Sequence, residues 1–160
     1  MSEQTTGRAM TIPGLDIRAP LHDGFVVDTD PDRLDLERVH AWLSTDAYWA
    51  MGRPMDVLRR AVAASVNFGV YAADGAQVGY ARLVTDGATF GWLCDVYVDR
   101  DARGLGVGSA LAQTIVDAVA PLRMKRLLLT TADAHGIYAA CGFVVHPNPE
   151  QVMVRTTEQA

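Results

Sequence analysis

Apolar residues recur in this sequence with two different spacings, and the spacing changes several times along the chain. Four stretches have apolar residues three or four positions apart, which is typical of helices with one buried face. Shorter stretches that are apolar, or that alternate with polar residues and end at turn-forming residues, are typical of strands. The predicted helices cover residues 34–43, 55–65, 108–120 and 134–141, and the predicted strands cover residues 25–27, 67–73, 77–84, 89–98, 126–131, 143–145 and 151–155.

The order of these elements, βααβββαβαββ, predicts an α+β fold with α/β/α layers around a mixed, mostly antiparallel central sheet. Thr29-Asp30-Pro31-Asp32 combines a capping side chain, a proline and acidic residues, so the first helix is predicted to begin there. Asp74-Gly75 and Asp86-Gly87 favour tight hairpins, so the three strands that they join should be antiparallel. The helix after the third of these strands predicts a parallel crossover to the next strand. We expect a flexible N-terminal arm over residues 1–23 and one domain over residues 24–160.

A glycine-rich segment joins the longest predicted strand to the third helix. It contains Arg103, Gly104, Gly106 and Gly108, and the helix follows without a break. Glycines let consecutive backbone N–H groups approach a ligand closely, and the helix N-terminus adds unpaired N–H groups and the positive end of its dipole. The segment is therefore predicted to bind an anion, and phosphate is the anion that such loops commonly bind.

Two other phosphate-binding motifs do not match this segment. The P-loop requires a Lys-Ser/Thr pair after its glycines, which is absent here. The dinucleotide motif GxGxxG is nearly present, but Gly108 comes one residue too early to be its third glycine. These differences disfavour nucleotide hydrolysis and NAD binding, although a nucleotide-binding protein that shares the loop stays open as an alternative.

Two short motifs resemble those of the GNAT superfamily of N-acetyltransferases. Arg103, Gly106 and Gly108 match the Arg-x-x-Gly-x-Gly motif that holds the pyrophosphate of acetyl-CoA in that family. Tyr138-Ala139-Ala140-Cys141-Gly142-Phe143 is similar to the family's Tyr-x-x-x-Gly-Phe, and one helix and one strand separate the two motifs as they do there. The resemblance covers residues 25–155. It implies the GNAT-like acyl-CoA N-acyltransferase fold, with two neighbouring strands splayed apart around the cofactor arm.

The resemblance also implies an activity. A GNAT enzyme moves the acetyl group of acetyl-CoA directly to a primary amine, of a small molecule or a protein, within a ternary complex. The thioester of acetyl-CoA, the co-substrate, is already activated, so the chemistry needs proton transfer and oxyanion stabilisation but no protein nucleophile. A non-catalytic acyl-CoA-binding or sensing module on the same fold is the alternative.

The residues implied to bind acetyl-CoA lie on the strand, the loop and the elements that follow. Backbone groups of Val96 and Val98 are expected to bond the pantetheine amides. Many relatives have asparagine where this chain has Thr131, and threonine still offers a hydrogen-bonding group. The full predicted set is Val96, Tyr97, Val98, Arg103, Gly104, Leu105, Gly106, Val107, Gly108, Ser109, Thr131 and His135.

Tyr138 and Asp95 are the candidate catalytic side chains. The family often has a tyrosine at the position of Tyr138, near the thioester sulfur, and a phenol with an ordinary pKa of about 10 suits protonation of a departing thiolate. A packed tyrosine with a structural hydrogen bond is the alternative. Relatives often carry a carboxylate near Asp95 that acts as general base, directly or through water. A solvated or helix-pairing carboxylate is the equally weighted alternative.

The segment between the first two helices is expected to recognise the acceptor, because in the family it closes over the substrate channel. Tyr48, Trp49 and Arg53 are the candidate substrate-binding residues. The aromatic side chains suit an apolar or cationic acceptor, and Arg53 suits an acceptor carboxylate or the CoA phosphates. For Trp49, a core anchor of the helical layer is the alternative.

Composition excludes some classes of protein. The net charge of −5 argues against nucleic-acid binding through a basic surface. Cys94 and Cys141 have neither disulfide-framework nor metal-ligand spacing, so no metal site is predicted and a reducing compartment is expected. The sequence has neither an apolar run near the ~20 residues of a membrane span nor a secretory signal pattern, so a cytoplasmic protein without membrane association is predicted. The final strands could pair across a homodimer.

Overall fold

The structure is a computed structural model that describes residues 10–158. This part of the chain contains six strands and four α-helices. Short 3-10 turns join several of them. In chain order the elements are β1 (Arg18–Pro20), β2 (Val26–Asp28), α1 (Leu36–Thr45), α2 (Met55–Ala63), β3 (Val66–Tyr71), β4 (Gln77–Thr85), β5 (Phe90–Val98), α3 (Val107–Val119), β6 (Arg126–Leu128) and α4 (His135–Ala140).

The six strands form one sheet in the order β1-β2-β3-β4-β5-β6. Neighbours from β1 to β5 are antiparallel, whereas β6 runs parallel to β5. This arrangement confirms the predicted antiparallel β3-β4-β5 unit and the parallel crossover through α3. The glycine-rich segment therefore leaves the sheet at the carboxyl end of β5, where sheets with parallel connections commonly bind ligands.

Helices cover both faces of the sheet. One buried cluster joins strand residues such as Phe68 and Leu83 to Leu111 and Ile115 of α3. A second cluster joins Tyr80 and Tyr97 to residues of α1 and α2, including Leu43 and Leu58. Because alternate side chains of a strand point to opposite faces, the sheet contributes to both cores at once. The predicted α/β/α layering and α+β class are confirmed.

The first helix begins later than predicted. Asp30 caps a 3-10 turn over Pro31–Arg33 by accepting a hydrogen bond from the backbone N–H of Asp32. The α-helix starts only at Leu36, where the Asp35 carboxylate accepts from the backbone N–H of Arg38. Two successive capping residues thus separate one predicted start into a turn and a helix.

The described part of the predicted N-terminal arm is packed rather than flexible. Leu15 is buried in the core below α3, and β1 pairs with β2 at the edge of the sheet. The Ile17 backbone N–H also donates to Thr29 Oγ1, at 2.8 Å. The prediction of an arm is therefore wrong for this part, because hydrogen bonding to β2 compensates for the weak apolar pattern. Residues 1–9 of the predicted arm lie outside the described residues.

Two predicted strands near the C-terminus, 143–145 and 151–155, are not strands in the structure. Phe143 packs edge-on against Tyr138, at 5.8 Å between ring centroids, and a 3-10 turn over Pro149–Gln151 includes the first residue of the second segment. Val144, Val145 and the apolar residues 152–154 are exposed. A run of β-branched residues becomes a strand only when a partner strand is available to it. The preceding strand is also shorter than predicted, since β6 ends at Leu128.

Candidate active site

Strands β5 and β6 separate soon after they meet. They pair at only three positions, Phe90 with Arg126, Gly91 with Leu127 and Trp92 with Leu128. Beyond these pairs β5 continues to Val98, while the other chain segment leaves the sheet. A cavity of about 640 Å³ lies between them, lined by residues 92–98 on one side and 129–134 on the other, together with residues 46–49, Arg103 and Tyr138. The splayed pair of strands implied by the sequence resemblance is thus present.

A β-bulge lies in the wall of this cavity. Tyr80 pairs with Tyr97 and Arg82 pairs with Cys94, so two residues of β5, Asp95 and Val96, lie opposite one residue of β4. Asp95 has a φ of 51°, in the left-handed region that residues other than glycine rarely adopt. Bulges are frequent beside active sites because they change the direction in which strand groups point. Here the bulge turns the Asp95 carboxylate toward three donors.

The Asp95 carboxylate is buried and fully engaged. Arg53 Nη1 and Arg82 Nε both donate to Oδ2, each at 2.6 Å, and Trp49 Nε1 donates to Oδ1 at 3.0 Å. Arg82 also donates to Ser65 Oγ at 3.3 Å. We refer to Asp95, Arg53, Arg82 and Trp49 as the Asp95 cluster. It ties the segment between α1 and α2 to the central strands.

The electrostatics of the Asp95 cluster keep the carboxylate ionised. Burial alone would raise the pKa of Asp95, but the hydrogen bond from Arg53 and the charge and hydrogen bond of Arg82 outweigh it, so the pKa is lowered. A general base works best with a pKa near the working pH. A carboxylate that is held by three donors and has a lowered pKa is poorly matched to this requirement.

The glycine-rich loop presents free backbone donors. Gly104 and Gly106 have φ values of 77° and 78°, which glycine adopts without strain. Helix α3 then begins at Val107 without a side-chain cap, so its first N–H groups have no partner within the helix. A Cβ built on Gly104 would meet nothing within 4 Å, so the loop is open there. Free N–H groups at an open helix N-terminus fit an anionic group such as a pyrophosphate.

Arg103 is engaged by a second carboxylate. Its Nη2 lies 3.1 Å from Asp46 Oδ2, its Nε donates to the Val98 carbonyl oxygen at 3.0 Å, and its guanidinium lies 5.2 Å above the centre of the Tyr97 ring. Arg100 also pairs with Asp46, and the Tyr97 hydroxyl donates to it at 2.5 Å. We refer to Asp46, Arg100, Arg103 and Tyr97 as the Asp46 cluster.

The Asp46 cluster also changes proton affinities. Hydrogen bonds from Arg100 and Tyr97 lower the pKa of Asp46. Burial, together with the hydrogen bond to Asp46, raises the pKa of Tyr97 to about 12. Tyr97 is therefore neutral at physiological pH, and its side chain packs on Trp42 in the core at 5.3 Å between ring centroids. Any contact of Tyr97 with a ligand in the cavity is thus expected through its backbone.

Tyr138 lies at the cavity wall, on α4, with little exposed surface. Burial raises the pKa of its phenol, which keeps the proton in place at neutral pH. Thr131 also lines the cavity, and its hydroxyl accepts a hydrogen bond from the Ala134 backbone N–H at 3.0 Å. His135 is the exposed first residue of α4 and does not line the cavity.

The segment between α1 and α2 closes one side of the cavity. Tyr48 and Trp49 line it and pack edge to face, at 5.0 Å between ring centroids. The Tyr48 hydroxyl accepts from the Ala132 backbone N–H at 3.2 Å, which bridges the two walls. Arg53 does not line the cavity, but it donates a hydrogen bond to Asp95, which does.

The structure thus brings most of the predicted residues to one site. Those that line the cavity are Tyr48, Trp49, Asp95, Val96, Tyr97, Val98, Arg103, Thr131 and Tyr138, whereas residues 104–109 follow directly after Arg103. Sequence reasoning missed Asp46, Arg82 and Arg100. The only sequence signal for Arg82 is that it is the one charged residue of its strand, and Asp46 lies just beyond the predicted end of the first helix.

Two further properties concern residues 10–158. No group of three or more His, Cys, Asp or Glu side chains in this part of the chain could hold a metal ion. Among the same residues, no helix combines the length and the apolar character that a membrane span requires.

Comparison with known proteins agrees with the fold. The family model for the acetyltransferase (GNAT) family matches residues 36–143. A "putative acetyltransferase" of Gibberella zeae is 34% identical over 131 residues, which cover 69% of this chain and 74% of that protein. A crystal structure from Xanthomonas campestris pv. campestris, described as belonging to the GNAT family, has 37% sequence identity and a TM-score of 0.79, over 87% of this chain and 96% of that chain. The chain belongs to the GNAT acetyltransferase family.

Proposed function

We propose that this protein is an acetyl-CoA-dependent N-acetyltransferase that moves the acetyl group directly to a primary amine in a ternary complex. The observation that carries the proposal is the cavity between the diverging strands β5 and β6, which has Arg103 in its lining and the open glycine loop directly after it. A long cofactor with an anionic middle and a narrow reactive arm matches this shape. The cavity provides the slot for the arm, and the loop provides the anion site.

Acetyl-CoA would lie along β5 with its thioester near Tyr138. Backbone groups of Val96 and Val98 would bond the pantetheine arm, because both residues line the cavity wall. The free N–H groups of residues 104–109 would bond the pyrophosphate. Arg103 would contribute charge beside them after loosening its contact with Asp46.

The reaction needs one bond formed and one bond broken. The neutral amine nitrogen attacks the thioester carbonyl carbon, the carbon–sulfur bond breaks, and the thiolate leaves. Tyr138 would donate its phenolic proton to the sulfur, while the proton lost by the amine passes to solvent, from which the phenol is reprotonated. The raised pKa of Tyr138 keeps the phenol protonated before this step.

The acceptor would enter beside Tyr48 and Trp49. Trp49 is held by Asp95 and Tyr48 by Ala132, so both rings have defined positions at the cavity. In this proposal Asp95 positions the acceptor-binding segment through Trp49 and Arg53, rather than accepting the proton of the amine. The aromatic wall suits an amine attached to an apolar or cationic group, of a small molecule or of a protein.

We also propose a homodimer formed through the C-terminal part of the chain. Val144, Val145, Val152, Met153 and Val154 are exposed apolar residues on two segments that pair with no strand, and exposed apolar surface is typical of association sites. Size-exclusion chromatography with light scattering would test this. A mass near twice 17.3 kDa is expected, and Val154→Asp should lower it.

Thermal unfolding with acetyl-CoA, CoA, ATP and NAD tests the cofactor. A ligand that binds only the folded protein raises the melting temperature by mass action. We expect acetyl-CoA and CoA to raise it, and ATP and NAD to leave it unchanged. A response to ATP or NAD alone would refute the proposal.

After an acceptor is found by free-thiol release, Tyr138→Phe should lower kcat by about 100-fold while CoA binding is kept. Unchanged turnover would remove Tyr138 from the mechanism, and CoA binding without turnover on any amine would favour the non-catalytic module.

A further inference from the structure

His22, in the N-terminal part of the chain, contacts the glycine loop. It lies in the tight turn between β1 and β2, and its Nε2 is hydrogen-bonded to the backbone carbonyl oxygen of Leu105, 83 residues further along the chain. A carbonyl oxygen can only accept, so Nε2 carries the proton. His22 belongs to residues 1–23, which the sequence pattern predicts to be a flexible arm.

The position of the His22 ring is well defined. The turn contains two residues with positive φ, Asp23 at 56° and Gly24 at 78°, and the Leu21 backbone N–H closes it by donating to the Phe25 carbonyl oxygen at 2.7 Å. The imidazole packs edge-on against the Phe25 ring, at 6.2 Å between centroids. The turn and this aromatic contact therefore hold the imidazole at the loop.

The ring also lies close against Gly106. A Cβ built on that glycine would lie 3.4 Å from Nε2, at the short limit of an ordinary van der Waals contact. Gly106 has a φ of 78°. Glycine therefore allows the positive φ at the position where the imidazole packs against the loop.

The contact with Leu105 determines where the next N–H group points. The Leu105 carbonyl and the Gly106 N–H belong to one planar trans peptide, in which the two groups point in opposite directions. By holding the carbonyl on one side of the loop, His22 directs the N–H to the other side. Among residues 10–158, no acceptor is hydrogen-bonded to this N–H. It is a free donor immediately before the first residue of α3.

We propose that His22 is a positioning residue of the glycine loop, which directs the Gly106 N–H toward the phosphate groups of an acyl-CoA. This inference rests on the proposed function, since it deepens the description of the same anion site. The pyrophosphate would accept from Gly106 while the imidazole holds the peptide from behind. His22 itself would not touch the ligand, because its Nε2 is already engaged.

Three variants separate the donor from the packing. His22→Phe keeps a ring against Phe25 but has no donor, His22→Ala removes both, and His22→Gln keeps an N–H donor on a side chain of similar reach. Calorimetric titration with CoA should give a Kd about fivefold weaker for His22→Phe and His22→Ala, which is the usual net effect of one hydrogen bond, and a nearly wild-type Kd for His22→Gln. A wild-type Kd for His22→Phe, or a His22→Gln variant as weak as His22→Ala, would overturn the proposal.

A measurement without ligand tests the same contact. The carbonyl carbon resonance of Leu105 should shift in His22→Phe and His22→Ala and stay in place in His22→Gln, because carbonyl shifts respond to an accepted hydrogen bond. Equal spectra for all four proteins would overturn the inference even if CoA binds well. Conversely, failure of the wild-type protein to bind CoA would refute the proposed function, while the carbonyl resonance would still report whether His22 holds the loop.

Discussion

Two carboxylates that line the cavity, Asp95 and Asp46, each hold two arginines, and their surroundings differ. The Asp95 side chain is only 2% exposed, and its two arginines are 14% and 16% exposed. The Asp46 side chain is 17% exposed, and its two arginines are 73% and 49% exposed. The same ion-pair chemistry is thus present at one cavity in a buried form and in a more exposed form.

The difference in burial gives the two clusters different tasks. A buried charge is stabilised mainly by its oppositely charged partner, because water does not reach it. Removing one partner of a buried ion pair is therefore strongly destabilising. Exposed ion pairs are screened and contribute little to stability, so their partners can be exchanged. The Asp95 cluster is therefore suited to fix the acceptor-binding segment, and the Asp46 cluster is suited to release its arginines to another anion.

The largest effect is expected from Asp95→Asn. The amide keeps the shape of the carboxylate but leaves two buried guanidinium groups without a counter-charge, so the free energy of unfolding should fall by roughly 3–5 kcal/mol. Urea denaturation followed by circular dichroism measures this. The matched control is Asp46→Asn, which makes the same chemical change at the exposed cluster and should shift the midpoint only slightly. Equal losses for the two variants would remove the distinction between the clusters.

The pH dependence of stability provides the next test. The folded pKa of Asp95 is lowered from its ordinary value of 3.8, so the carboxylate contributes stability that is fully present above that value and is lost as the pH falls through the lowered pKa. The difference in unfolding free energy between wild type and Asp95→Asn should thus be constant near neutral pH and shrink below about pH 4. A difference that grows on acidification would contradict the assigned sign. Comparing the two proteins removes the contribution of the other carboxylates.

The smallest effect is expected from Asp46→Asn on ligand binding. Under the proposed function, removing the carboxylate frees Arg100 and Arg103 for the phosphates, so the Kd for CoA should fall about two- to fivefold at low salt. The gain should shrink in 0.5 M salt because the phosphate interactions are screened. Weaker binding by the variant would show instead that Asp46 positions Arg103 for the ligand.

Local patterns predicted most of the fold. The Asp-Gly turns, the alternation in β4 and β5 and the apolar spacing of α3 each act within a few residues, and the structure has these elements where they were expected. The failures have a common cause. Residues 143–145 and 151–155 have the composition of strands, whereas the weakly patterned Arg18–Pro20 becomes one, because pairing depends on whether a partner strand is within reach.

The candidate site divides in the same way. Gly104, Gly106 and Tyr138 could be singled out from the sequence, because the chemistry of such loops and of a general acid limits the residue types that can serve there. The partners of Asp95 could not, since Arg53 and Arg82 are 42 and 13 residues away and meet it only through the bulge in β5. The same holds for His22, whose contact with Leu105 joins residues 83 positions apart in the chain.

The sequence by itself determined the family, the order of the central elements and the anion-binding loop, because these depend on short motifs and on the periods of helix and strand. Only the tertiary structure decided which carboxylate is buried, which arginines it holds and which segments remain unpaired. Burial and ion pairing depend on contacts between residues that are far apart in the chain. Their energies depend on how completely water is excluded, which a local sequence pattern does not show.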